Sequence, residues 1–198
     1  MRTFIILMTA LLAFGVTALM GFWLIPLLRK VKYGQTILDI GPIWHKNKQG
    51  TPTMGGFLFI AGVLVAVTVG YLVYMSAGGG ENEISPVFGT RLFAGVVMAL
   101  AFAFLGFVDD YIKVVKKRNL GLTAGQKMVM QILIAAIYLI ILYLAGDTST
   151  VLRIPFTGSL NLGLFYYPVA LFILIVGTVN AVNLTDGIDG LAGSVTFI

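Results

Sequence analysis

The chain has 198 residues, 59% of them hydrophobic and 11% charged, with a formal net charge of +5 and no cysteine. With a mean hydropathy of +0.99, this balance excludes a soluble globular domain and points to an all-α polytopic membrane protein. The lack of thiols excludes disulfides, zinc–thiolate sites and cysteine nucleophiles in these residues, and a lone His45 argues against a histidine metal cage or a Ser-His-Asp triad.

Five apolar runs are long enough to span a bilayer: Phe4–Leu28, Gly55–Met75, Leu92–Val108, Met128–Ala145 and Leu164–Val182. A sixth is only starting at Leu191–Ile198. The first is too long and too uniformly apolar for a cleaved signal peptide, with only Arg2 before it, and reads as a retained helix. Cations alternate between the connections. Arg29–Met54 carries Arg29, Lys30, Lys32, Lys46 and Lys48, whereas Ser76–Arg91 carries only Arg91. Asp109–Lys127 carries Lys113, Lys116, Lys117, Arg118 and Lys127, whereas Gly146–Gly163 carries only Arg153. The positive-inside rule then predicts an external N-terminus and a cytoplasmic location for Asp109, Asp110 and Asn183–Gly190. Residues 1–198 read as one transmembrane domain.

The first cytoplasmic connection contains Thr51-Pro52-Thr53-Met54-Gly55-Gly56. Pro52 and the glycine pair allow a tight turn and a close helix start, where free backbone N–H groups can receive an anion. Lys48 and Thr53 would add a charge and a hydroxyl. The plainer reading is a capped entry into the second helix, with Thr53 near the N-cap. His45 reads as a surface or hydrogen-bonding residue. Gly78–Glu83 is a polar external loop, and Gly15, Gly62, Gly70 and Gly95 read as marks of close helix packing.

The stretch Gly106–Asn119 is the centre of interest. Two adjacent carboxylates, Asp109 and Asp110, follow an apolar run where hydrocarbon gives way to water, and four cations come next. If the helix continues to the stop signal at Gly121, Asp109 and Asp110 share a face with Lys113 at i,i+4 and i,i+3, and Lys117 lies one turn along. Carboxylates suit Mg²⁺, and Mg²⁺ together with lysine neutralises phosphoryl oxygens. Interfacial anchoring accounts for the basic cluster but not for the acids. In the second external connection, Val151–Pro155 and Ser159–Leu162 flank Phe156-Thr157-Gly158 and predict a small structural β-hairpin.

Asn180–Ala192 closes the fifth span and opens the next apolar run. Two amides, Asn180 and Asn183, and two carboxylates, Asp186 and Asp189, each stand at i,i+3, with Gly187 and Gly190 permitting non-helical turns. So many polar groups beside apolar helices need water, ions or a polar ligand.

These three motifs, in this order, resemble the N-terminal part of the bacterial phospho-N-acetylmuramoyl-pentapeptide transferase family, within the polyprenyl-phosphate N-acetylhexosamine-1-phosphate transferase superfamily. The Asp109-Asp110 motif is common to the superfamily. The pairing of Thr51–Gly56 with Asn183-Leu184-Thr185-Asp186-Gly187, together with the external hairpin, resembles the muramoyl-pentapeptide branch. The likeness extends over essentially the whole chain. It implies transfer of phospho-MurNAc-pentapeptide from its UDP carrier to undecaprenyl phosphate, giving lipid I and UMP with Mg²⁺, at the cytoplasmic face of the bacterial plasma membrane. It further implies catalytic roles for Asp109, Asp110 and Lys113 and an amide metal ligand at Asn183, with Asp109 and Asp110 as other metal candidates. Substrate contacts are implied for Lys48, Thr53, Lys117, Asn180, Asp186 and Asp189. A homodimer in the bilayer, with no nucleic-acid partner, completes the expectation.

Members of that family have about ten spans, so the resemblance also implies a fragment, inactive alone, whose further metal carboxylate and His-rich loop lie beyond Ile198. The runner-up activities are a sister transferase of N-acetylglucosamine phosphate and a non-catalytic membrane fragment. An ion-coupled transporter would place its acids near the bilayer midplane in interrupted, repeated helices; here they fall at one surface.

Overall fold

A computed structural model describes residues 2–30, 54–79, 86–116, 120–186 and 191–197. Among these, five helices are long and apolar enough to cross a membrane, with one two-stranded sheet between the fourth and fifth. The chain is a multi-pass, all-α membrane protein. The order is α1 (Arg2–Lys30), α2 (Gly56–Tyr74, prolonged by a π turn, Met75–Gly79), α3 (Pro86–Val115), α4 (Ala124–Leu144), β1 (Val151–Ile154) and β2 (Gly158–Asn161). The fifth span, Gly163–Thr185, is composite. A 3₁₀ turn, Gly163–Phe165, leads into α5 (Tyr166–Pro168), a π-helix (Val169–Gly177) and α6 (Thr178–Thr185), before α7 (Leu191–Phe197). Helix is the expected solution because hydrocarbon offers no partner to a backbone N–H or C=O.

The contacts divide the chain into two compact units. The first holds α1, α2 and α3 from Ala99, with the segment to Thr123. Its packing is written in small residues. Leu58, Gly62, Ala66 and Gly70, every fourth residue of α2, are buried in one stripe. A Cβ on Gly62 would stand 2.9 Å from the Ala13 carbonyl oxygen and run into the Thr17 hydroxyl; one on Gly70 would strike the Thr9 hydroxyl. Close backbone approach of this kind replaces the hydrophobic drive that lipid removes. Gly15 and Gly95, expected to act likewise, have nothing within 4 Å of an added Cβ. At the other end of α2, Phe57 meets Phe107 of α3 edge-on at 5.6 Å, and Phe107 lies 5.8 Å from Tyr111.

The capped start read at Thr53 lies outside the described residues, which begin here at Met54. Gly55 stands at the cap without a side-chain hydrogen bond, and Met54 takes a left-handed φ of 68°. The carbonyls of Met54 and Gly55 accept the first N–H groups, from Phe57 and Leu58, at 3.4 and 3.1 Å.

The second unit holds α3 to Met98 and everything from Ala124 onward. Gln131 and Ala135 are buried on α4, which packs on the π-helix, where Ala170 and Val176 are buried. Pro168, with no N–H to give, precedes the wide turns, and a Cβ on Gly177 would lie 3.0 Å from the Phe172 carbonyl oxygen. α4 ends on Gly146 at φ 87°, with Asp147 N–H donating back to the Leu142 carbonyl at 2.9 Å, a Schellman-type stop. That turn presents the Asp147 carboxylate to Arg91, whose Nε and Nη2 donate to Oδ2 and Oδ1 at 2.5 and 2.6 Å.

The external hairpin forms as the sequence predicts, in the register Val151↔Asn161 to Ile154↔Gly158. Its tip is a turn over Ile154-Pro155-Phe156-Thr157, closed by Thr157 N–H to the Ile154 carbonyl at 3.3 Å. Pro155 in second place and φ 68° at Phe156 match a type II turn, whose third position ordinarily takes glycine or asparagine.

Candidate functional site

The last turns of α3 bring Asp109, Asp110 and Lys113 onto one face, as helical spacing requires. The Lys113 ammonium lies 2.7 Å from Asp109 Oδ2 and 3.0 Å from Asp110 Oδ1. The two acids are not equivalent. The Asp109 side chain is 8% exposed and that of Asp110 34%. Asp109 Oδ1 also accepts the Leu122 N–H at 2.8 Å, while Asp110 Oδ2 has no partner among the described residues. Two carboxylates against one ammonium leave these three side chains with a net negative charge.

Helix α3 does not run to Gly121, contrary to the sequence reading. It ends at Val115, and Gly121 returns to Asp109 so closely that a Cβ there would stand 2.6 Å from the Asp109 carbonyl oxygen and press on its carboxylate. Glycine at 121 is therefore the docking residue of the returning chain, and Leu122 supplies the bond that fixes it. A stop signal was legible there; the partner of the Leu122 N–H, thirteen residues back at Asp109, was not.

On α6 the amides part company. Asn180 Nδ2 donates to Gln131 Oε1 at 2.7 Å and to the Val176 carbonyl at 2.8 Å, so its nitrogen is committed to holding α6 on α4. Asn183 and Asp186 are exposed. Gln131, the one amide inside the fourth apolar run, was the residue that the sequence reading passed over. Lys48, Thr53, Lys117 and Asp189, and with them His45, lie outside the described residues.

Among the described residues no three His, Cys, Asp or Glu side chains converge. A dedicated protein cage is not on offer in these residues. A pair of carboxylates, one of them partly open, fits a hard ion that keeps water and takes phosphate oxygens, which is the habit of Mg²⁺.

The model of glycosyl transferase family 4 matches residues 92–198, from within α3 to the last residue. The chain belongs to that family. The phospho-N-acetylmuramoyl-pentapeptide-transferase signature 1 matches residues 48–60, across the start of α2. Curated proteins of the name phospho-N-acetylmuramoyl-pentapeptide-transferase are similar along nearly the whole chain. That of Heliobacterium modesticaldum is 46% identical over 190 residues, 94% of this chain and 54% of the relative. That of Bacillus subtilis is 45% identical over 188 residues, again 94% and 54%, and that of Clostridioides difficile 41% over 191, 96% and 54%. The resemblance read from the motifs is borne out, and the chain spans about half the length of the curated relatives it matches.

Proposed function

We propose that this family 4 chain contributes the acid–lysine part of a site that transfers phospho-MurNAc-pentapeptide from UDP-MurNAc-pentapeptide to undecaprenyl phosphate, giving lipid I and UMP. The observation that carries the reading is the Asp109–Asp110–Lys113 face at the end of a membrane span, with one carboxylate open. A soluble anionic nucleotide and a lipid phosphate can meet only at a membrane surface; the charge alternation of the connections supports the cytoplasmic one, and the resemblance assigns it to the bacterial plasma membrane.

Lys113 would neutralise phosphoryl oxygens, and its position is fixed by both acids. Asp109, held by the Leu122 N–H and Lys113, orients that ammonium. Asp110 is the acid placed to meet a ligand and a candidate to hold Mg²⁺; Asn183 is assigned to the metal by resemblance alone. Bound Mg²⁺ supplies charge neutralisation on the pyrophosphate oxygens. Lys117 would face phosphate groups with Lys113, Asp186 and Asp189 would line the nucleotide-sugar site with Lys48 and Thr53 nearby, and Asn180 enters only through the helix it positions.

The test is product analysis with the complete reading frame in detergent and lipid. UDP-MurNAc-pentapeptide with undecaprenyl phosphate should yield UMP and the lipid-linked sugar in equal amounts. Product from UDP-N-acetylglucosamine alone would transfer the assignment to the sister reaction, and no product from either sugar would refute the transferase reading.

A further inference from the structure

The hairpin between α4 and the fifth span is two-faced. Partners across an antiparallel ladder share a face, so the register puts Leu152, Ile154, Gly158 and Leu160 on one side and Arg153, Ser159 and Asn161 on the other, with Val151 at the base as the one apolar residue of that second side. The apolar side is not covered by the described residues: Ile154 is 41% and Leu160 50% exposed, and Phe156 at the tip is fully exposed. A lone two-stranded hairpin is marginal in water unless one face is packed. Phe156 also holds a left-handed φ of 68°, a conformation in which an aromatic residue gains nothing locally, and its ring stands exposed at the tip.

What covers the face is indicated by where the hairpin is tied. Only residues 145–150 separate α4 from β1, and only Leu162 separates β2 from Gly163, where the fifth span begins. The base of the ladder is pinned by Leu162 N–H to the Thr150 carbonyl at 3.1 Å. At the same boundary Tyr143 meets Tyr167 at 6.1 Å and Tyr167 meets Tyr166 at 5.7 Å, both edge-on, and Leu164 and Phe165 are exposed beside them. Tyrosines gathered at a span end mark the headgroup level. The apolar face of the hairpin thus begins where the lipid-facing surface of the spans ends.

We propose that the hairpin lies on the leaflet at this end of the spans, with Leu152, Ile154, Leu160 and the Phe156 ring in the headgroup–acyl boundary and Arg153, Ser159 and Asn161 turned to water. The partner is the bilayer itself. Arg153, the one cation of the connection, sits on the face that stays wet.

Residues 1–198 contain no cysteine, so Phe156→Cys, Leu160→Cys, Arg153→Cys and Ser159→Cys each give one nitroxide site in this part of the protein. The full-length protein would be reconstituted in phosphatidylethanolamine–phosphatidylglycerol vesicles, and each site read by power saturation with oxygen and with a nickel chelate. Oxygen accessibility several-fold above nickel accessibility at 156 and 160, reversed at 153 and 159, supports the proposal. Leu160→Cys reads the same face as Phe156→Cys should the latter disturb the turn. Three results overturn it: nickel favoured at all four sites, a hairpin standing in water; oxygen favoured at all four, a hairpin sunk in lipid; or both relaxants excluded at 156 and 160 with immobilised spectra, a face covered by protein, whether a further segment or a second copy. None of these readouts depends on transferase activity.

Discussion

At Asp109 a single carboxylate answers two neighbours, the Lys113 ammonium and the Leu122 N–H, and Gly121 is the residue that lets the second come so near. Replacing that glycine with alanine forces the returning chain off Asp109, a crowding that costs about 1–3 kcal/mol. Gly125 on α4 has open space around it, so Gly125→Ala should change stability by no more than about 1 kcal/mol. Thermal unfolding in detergent compares them, and equal shifts would contradict the docking role of Gly121. The acids should separate in the same assay. Asp109→Ala strands a part-buried N–H and loosens Lys113, for about 1–3 kcal/mol, whereas Asp110→Ala, at a partly exposed pair, should fall under about 1 kcal/mol. A larger loss at Asp110 would reverse the division of labour between them. The i,i+3 and i,i+4 contacts of Lys113 were legible because a helix fixes them; Leu122 was not, because nothing in local periodicity says where a chain returns.

Helices and their ties form the next scale. The spans were legible because hydrocarbon allows few alternatives, yet α3 begins at Pro86 rather than at Leu92. Arg91 broke the apolar run on paper, but in the fold its guanidinium is paired with Asp147, and the helix continues through it. Arg91 holds the Asp147 carboxyl below the usual carboxylate range, chiefly by hydrogen bonding. A carboxylate with a lowered folded-state pKa adds stability that is complete above the unfolded value, about 3.9, and is lost as pH falls through the folded value. The unfolding-temperature difference between parent and Asp147→Asn should therefore hold steady from pH 7 to about 5 and close below about 4. Arg91 is 53% exposed, so the pair contributes no more than about 1 kcal/mol. A difference that persists unchanged in acid would mean that Asp147 acts through packing instead. The tie between α4 and α6 is of another kind. A double-mutant cycle on Gln131→Leu and Asn180→Leu should return a coupling of about 0.6–1.7 kcal/mol, the range for hydrogen bonds between membrane helices. No coupling would return Asn180 to the ligand-facing role that the sequence suggested. The π-helix of the fifth span was not legible at all, since a run this uniformly apolar carries no phase from which a wider turn could be read.

For the molecule as a whole, chain topology and charge alternation argue the orientation, family 4 membership argues the chemistry, and the acid–lysine face of α3 is where the two lines converge. The element count, the hairpin and the two acid-bearing motifs could be read from residues alone. The unequal standing of Asp109 and Asp110 needed the fold. The central claim is that Asp110 meets a metal-bound phosphate while Asp109 holds the frame. Mg²⁺-dependent UMP release from UDP-MurNAc-pentapeptide and undecaprenyl phosphate tests it most directly, measured on the complete reading frame for parent, Asp110→Asn and Asp109→Asn. The account predicts that Asp110→Asn unfolds like the parent, loses turnover by about 100-fold or more and needs more Mg²⁺ for what remains, while Asp109→Asn loses stability along with rate. Full turnover in Asp110→Asn at the parent's Mg²⁺ requirement would contradict it.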